Sequence, residues 1–152
     1  MAMVSVMDRT KVARGIAIGV GLVFTLSGLW AFLAPQSWFD NIGNYPPYNR
    51  HFVHDLGAFQ IGLGGMALLS LLWKAPLLAA LAANGIAAIF HFASHVIDRD
   101  LGGRAADPIM LGLFALLVLW GAFSAAEPAP RPPVITKDPA PPPPPAGTET
   151  PR

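Results

Sequence analysis

Four histidines occur in this chain, in two pairs, and each pair has an aspartate within a helical turn. His51 and His54 lie in "RHFVHD", which closes on Asp55; His91 and His95 lie in "HFASHVID", which includes Asp98. Imidazoles with carboxylates suit zinc, iron, copper(II) or manganese. Two imidazoles level with one another, such as His54 and His95, can fill both axial positions of haem b. Histidine beside aspartate can also move a proton near neutral pH or bind a ligand. A fourth reading needs no reaction, since a hydrogen-bonded cluster can simply pin two helices together. With no cysteine in the chain, disulfides, thiolate metal sites and thiol redox chemistry are excluded. No methionine lies beside the histidines, which disfavours a soft copper(I) site.

The elements that must position these residues are apolar. The composition is 53% hydrophobic and 12% charged, where an ordinary soluble domain has about 25% charged residues. Four segments lack any charge: Gly15 to Ala34, Leu56 to Trp73, Ala75 to Ile97 and Pro108 to Ala126. About 20 helical residues cross the hydrocarbon core of a bilayer, and each segment meets that length. Four such runs in 152 residues leave nothing soluble to bury them. The reading is an all-α integral membrane protein, a four-helix up-down-up-down bundle over residues 1–126. The helices are expected near 12–34, 54–74, 76–98 and 108–126. The first run exceeds a signal-peptide core and ends in "AFLAPQ", without a small-x-small cleavage site, so it reads as a retained helix.

Basic residues set the expected orientation. Arg9, Lys11 and Arg14 precede the first span, Lys74 sits in the middle turn, and Arg131, Lys137 and Arg152 lie in the tail. The other two loops hold only Arg50, Arg99 and Arg104. By the positive-inside rule both termini are expected to be cytoplasmic, and the first and third loops outside. Eleven of the sixteen prolines fall between Glu127 and Arg152, so residues 127–152 read as a disordered, polyproline-rich cytoplasmic tail. A net charge of +1 and the lack of a basic, aromatic-interleaved patch speak against nucleic acid as a partner. The expected partners are the lipid bilayer and a membrane protein or second copy, met through glycine faces: Gly15 and Gly19, and Gly57, Gly62, Gly64 and Gly65.

Helical geometry brings the chemistry-bearing residues toward one end. Counting from the turn near Ala75, His54, Asp55 and His95 all lie about 30 Å along their helices. His51 and Asp98 fall about one turn further out and His91 about one turn deeper. Within each helix the spacings are i, i+3 or i+4, so each set shares a face, and a polar face on a membrane helix turns inward. The expectation is one cluster of His51, His54, Asp55, His91, His95 and Asp98 between the second and third spans, at the outer end, as a candidate metal site.

The stretch "YPPYNRHFVHDLGAFQIGLG", followed by "HFASHVID", resembles a group of small four-helix membrane proteins of actinobacteria. In that group a "PxNxHxxxDxG" block opens the second helix and a histidine pair closes the third. Pro47, Asn49, His51, Asp55, Gly57, His91 and His95 fit the pattern, whereas His54 departs from it, since arginine often stands there. The resemblance covers Gly15 to Ala126. The overall plan is similar to DoxX-like proteins, some of which are membrane subunits of oxidoreductases. The HxxH and HxxxH spacings are also similar to the histidine boxes of membrane di-iron enzymes, which need about twice as many histidines. Two functions follow as expectations: a component of a membrane oxidoreductase holding a transition metal or haem b, or a non-catalytic partner or assembly subunit in which the cluster is a polar lock.

Overall fold

The computed structural model of the protein describes residues 2–72 and 77–126, with side chains from Asp8 onward. The Lys74 turn and the Pro-rich tail lie outside these residues. All regular structure among them is helical. Helix α1 spans Ala2–Leu33, and with no glycine or proline between Ala2 and Arg14 it begins well before the expected residue 12. Pro35 ends it and opens a short helix, α2, Pro35–Trp38. This passes into a π-helical turn, Phe39–Gly43, that stops at Asn44 in a left-handed conformation with φ 35°.

Helix α3 spans Arg50–Leu72 and starts four residues before the expected residue 54. The side-chain oxygen of Asn49 accepts the Phe52 N–H at 3.1 Å, an asparagine cap that draws Arg50 to Val53 into the helix. Helix α4 is Leu77–Ile97 and α5 is Asp107–Ala125, with Pro108 in its first turn. Four stretches are long and apolar enough to cross a membrane: Asp8–Leu33, Arg50–Leu72, Leu77–Ile97 and Asp107–Ala125. The fold is thus a four-helix bundle compatible with a multi-pass membrane protein, its spans within a few residues of those expected.

Packing divides the helices into two tight pairs, α1 with α3 and α4 with α5, and α3 meets α4 much more sparsely. Lipid tails are as apolar as leucine, so close backbone approach rather than hydrophobic exclusion holds such helices together. In α1 and α3 that approach comes from two glycine pairs at seven-residue spacing. A Cβ on Gly28 would lie 2.7 Å from the Gly57 carbonyl oxygen, and one on Gly64 would lie 2.8 Å from that of Gly21. The low number of α1 meets the high number of α3 at one level and the reverse at the other, so the two helices run antiparallel. Gly57 and Gly64 thus serve the internal contact, while a Cβ on Gly15, Gly19, Gly62 or Gly65 would meet nothing within 4 Å.

In the second pair Gly85 lies beneath Leu119 and Gly112 faces Phe92, again antiparallel. Gly121 seats Ile16, which docks α5 on α1. Ala13, Ala17, Val20, Ala67, Leu81, Val118 and Ala122 form the principal buried core. It lies toward the end of the bundle where α1 begins and α5 finishes, here the terminal end. There the Arg9 guanidinium donates to the Phe123 carbonyl at 2.6 Å and lies 4.9 Å from the centre of the Phe123 ring. The opposite, loop end carries a smaller core of Ala31, Trp38 and Val53, and the Trp38 indole N–H donates to Ser27 Oγ at 3.0 Å.

Candidate functional site

The six residues singled out by sequence do not form one cluster. His51 Nε2 lies 3.5 Å from Asp55 Oδ2 on the outward side of α3, with side chains 87% and 55% exposed. The His54 ring packs on Phe32 of α1, with ring centres 5.2 Å apart. His91 and His95 touch edge to face at 4.8 Å on α4. Asp98, just beyond α4, acts on Tyr45 through its charge. Among the described residues no group of three or more histidine, aspartate or glutamate side chains is placed to hold a metal ion. The reason lies in the helix pairing. Glycine contacts bind α3 to α1 and turn His54 toward Phe32, while α4 pairs with α5 and carries His95 to the start of α5.

What His95 meets there was not among the expected partners. The Tyr45 hydroxyl lies 3.1 Å from His95 Nδ1, and Asp107 Oδ2 lies 3.8 Å from the same nitrogen. The His95 and Asp107 side chains are only 15% and 22% exposed. With a neutral ring unprotonated at Nδ1, the phenol donates to that nitrogen. With a protonated ring, the N–H faces a carboxylate. Asp107 also accepts the Arg104 backbone N–H at 2.7 Å. Burial raises the Tyr45 phenol above its usual value of 10.0, and the negative charges of Asp107 and Asp98 push it the same way.

Two loops converge to make this arrangement. The Gly103 N–H donates to the Asn44 carbonyl at 3.1 Å, and the Arg104 guanidinium donates to the Asn41 carbonyl at 2.5 Å. Gly103 has φ 78°, and a Cβ there would stand 2.6 Å from the Tyr45 hydroxyl and 3.1 Å from Asp107 Oδ2. A side chain at that position would push phenol and carboxylate apart, so glycine is required for both conformation and space.

Sequence reasoning missed Tyr45, Asp107 and Arg104. Asp107 could have been noticed as an acid directly before Pro108 at a helix start, and Gly102–Gly103 as a turn built to admit a neighbour. Nothing in the sequence ties Tyr45 to His95 across fifty residues. The arrangement links the first loop to α4 by a hydrogen bond between Tyr45 and His95, and α4 to α5 by a longer contact between His95 and Asp107. Comparison with protein-family models, with curated proteins and with solved structures gives no match to this chain.

Proposed function

We propose that this protein is a non-catalytic subunit of a membrane complex, an up-down-up-down four-helix bundle whose loop end is closed by a polar lock. The Tyr45–His95–Asp107 chain carries this reading: it joins the first loop, α4 and α5 where His95 was expected to serve a metal or haem. Glycine contacts fix α1 to α3 and α4 to α5, and the lock adds a tie from the first loop to the α4–α5 pair. The distribution of basic residues supports cytoplasmic termini with the lock on the outer face, and the resemblance to actinobacterial membrane proteins supports a bacterial plasma membrane. The resemblance to DoxX-like membrane subunits in overall plan is consistent with a partner role.

The test compares two substitutions at His95 in protein purified from its native membrane. His95→Gln keeps a side chain that can accept from Tyr45 and donate toward Asp107, so its thermal stability should stay close to that of the wild type. His95→Ala strands the phenol and should lower stability by about 1–3 kcal/mol. A stoichiometric transition metal or haem absorbance in the wild type, lost equally in both variants, would overturn this reading in favour of an oxidoreductase component.

A further inference from the structure

We infer that two copies of this chain pair through the outward face of α3, and this inference does not rest on the polar lock. Helix α3 has two faces of different character. Gly57 and Gly64 are buried against α1. On the other side His51, Asp55, Ala58, Gly62, Gly65 and Leu69 follow one another at alternating steps of four and three residues. That is the spacing of the seam in a left-handed helix pair. Of these, all but Gly65 are exposed, and a Cβ on either Gly62 or Gly65 would meet nothing within 4 Å. Among the described residues this face is therefore open, with Gly65 alone partly covered.

Charge identifies the occupant. At its loop end the face carries an imidazole and a carboxylate that lie 3.5 Å apart on the same helix. Asp55 lies more than a turn inside the apolar stretch that opens at Arg50, and hydrocarbon there offers a carboxylate no partner. Copies of one chain enter a membrane in the same orientation, so a closed pair has its two-fold axis along the membrane normal, and α3 lies parallel to α3. In a parallel seam a residue of one helix touches the residue four positions on in the other as well as its own equivalent. His51 and Asp55 are four apart and complementary. The symmetry then brings His51 of each copy to Asp55 of the other, a self-complementary contact made twice. The small side chains at 58, 62 and 65 let the backbones approach below it. Helix α1 has an open face too, at Gly15 and Gly19, but it continues as Leu22, Leu26, Leu29 and Leu33, which lipid satisfies.

The chain has no cysteine, so single cysteines report without background. Full-length protein carrying Gly62→Cys, oxidised in native membranes, should give a disulfide-linked dimer, while Gly15→Cys should not. Adding Asp55→His should weaken association at least about tenfold, and the exchange His51→Asp with Asp55→His should restore it. Both side chains are exposed in the single chain, so in detergent dilute enough to keep all forms monomeric the melting temperature of each variant should match the wild type, which separates lost pairing from lost fold. Monomers by subunit counting in dilute bilayers overturn the inference. So does cross-linking through Gly15→Cys in place of Gly62→Cys, or a Gly62→Cys cross-link indifferent to Asp55→His.

Discussion

Tyr45 puts a phenol between an imidazole and two carboxylates, and its ionisation should show it. Burial, with the charges of Asp107 and Asp98, raises its pKa above 10.0. The folded state therefore favours the neutral phenol. That contribution is complete below pH 10.0 and is lost as pH rises through the folded-state value. The chain has two tyrosines, so in a Tyr48→Phe background the phenolate absorbance reports Tyr45 alone. Its midpoint should lie above that of free tyrosine and fall in Asp107→Asn; a midpoint unmoved by that substitution would contradict the arrangement. Tyr45→Phe should cost about 1 kcal/mol, the net worth of one hydrogen bond, read by thermal unfolding. At this scale the sequence was half legible. The pattern of His91, His95 and Asp98 picked out the right end of α4 because spacing within one helix is set by its pitch. Tyr45 and Asp107 were invisible because loop-to-helix contacts have no period, and the carboxylate that reaches His95 came from the start of a different helix.

Glycines divide the helices into surfaces that touch and surfaces that do not, and substitution should separate them. A Cβ at Gly57 would lie 2.8 Å from the Gly28 carbonyl oxygen and 3.0 Å from the Phe32 nitrogen, and backbone atoms cannot turn aside. Gly57→Ala should cost about 1–3 kcal/mol. At Gly19 there is open space, so Gly19→Ala should raise stability by about 0.5–1 kcal/mol through helix propensity alone. Melting temperatures moving in the same direction would argue against the α1–α3 contact. The four spans were readable because length and lack of charge dictate them. Their pairing was not, since adjacency in sequence pointed to the second and third spans. The seven-residue repeat of Gly21 with Gly28, matched by Gly57 with Gly64, carries that information and is visible once both helices are laid side by side.

For the molecule as a whole, the proposed orientation rests on the basic residues and can be tested with the cysteine-free background. Cysteine at exposed Ala105 should react with an impermeant thiol reagent added to intact cells, and cysteine at exposed Lys11 only after lysis. The reverse pattern would place the lock on the cytoplasmic side. At the other end, Arg9 reaches the Phe123 carbonyl at 2.6 Å and the Ala126 carbonyl at 3.4 Å, among the last carbonyls of α5. Arg9→Gln should lower stability by about 1 kcal/mol in a thermal melt. The contact also has an order in time. A ribosome delivers Arg9 before all four spans and Phe123 within the last of them, so for most of synthesis this guanidinium has no acceptor to hold. It is a latch that closes only once α5 is made: a nascent chain halted before Phe123 could already pack α1 on α3, but would leave the start of α1 without its tie to α5.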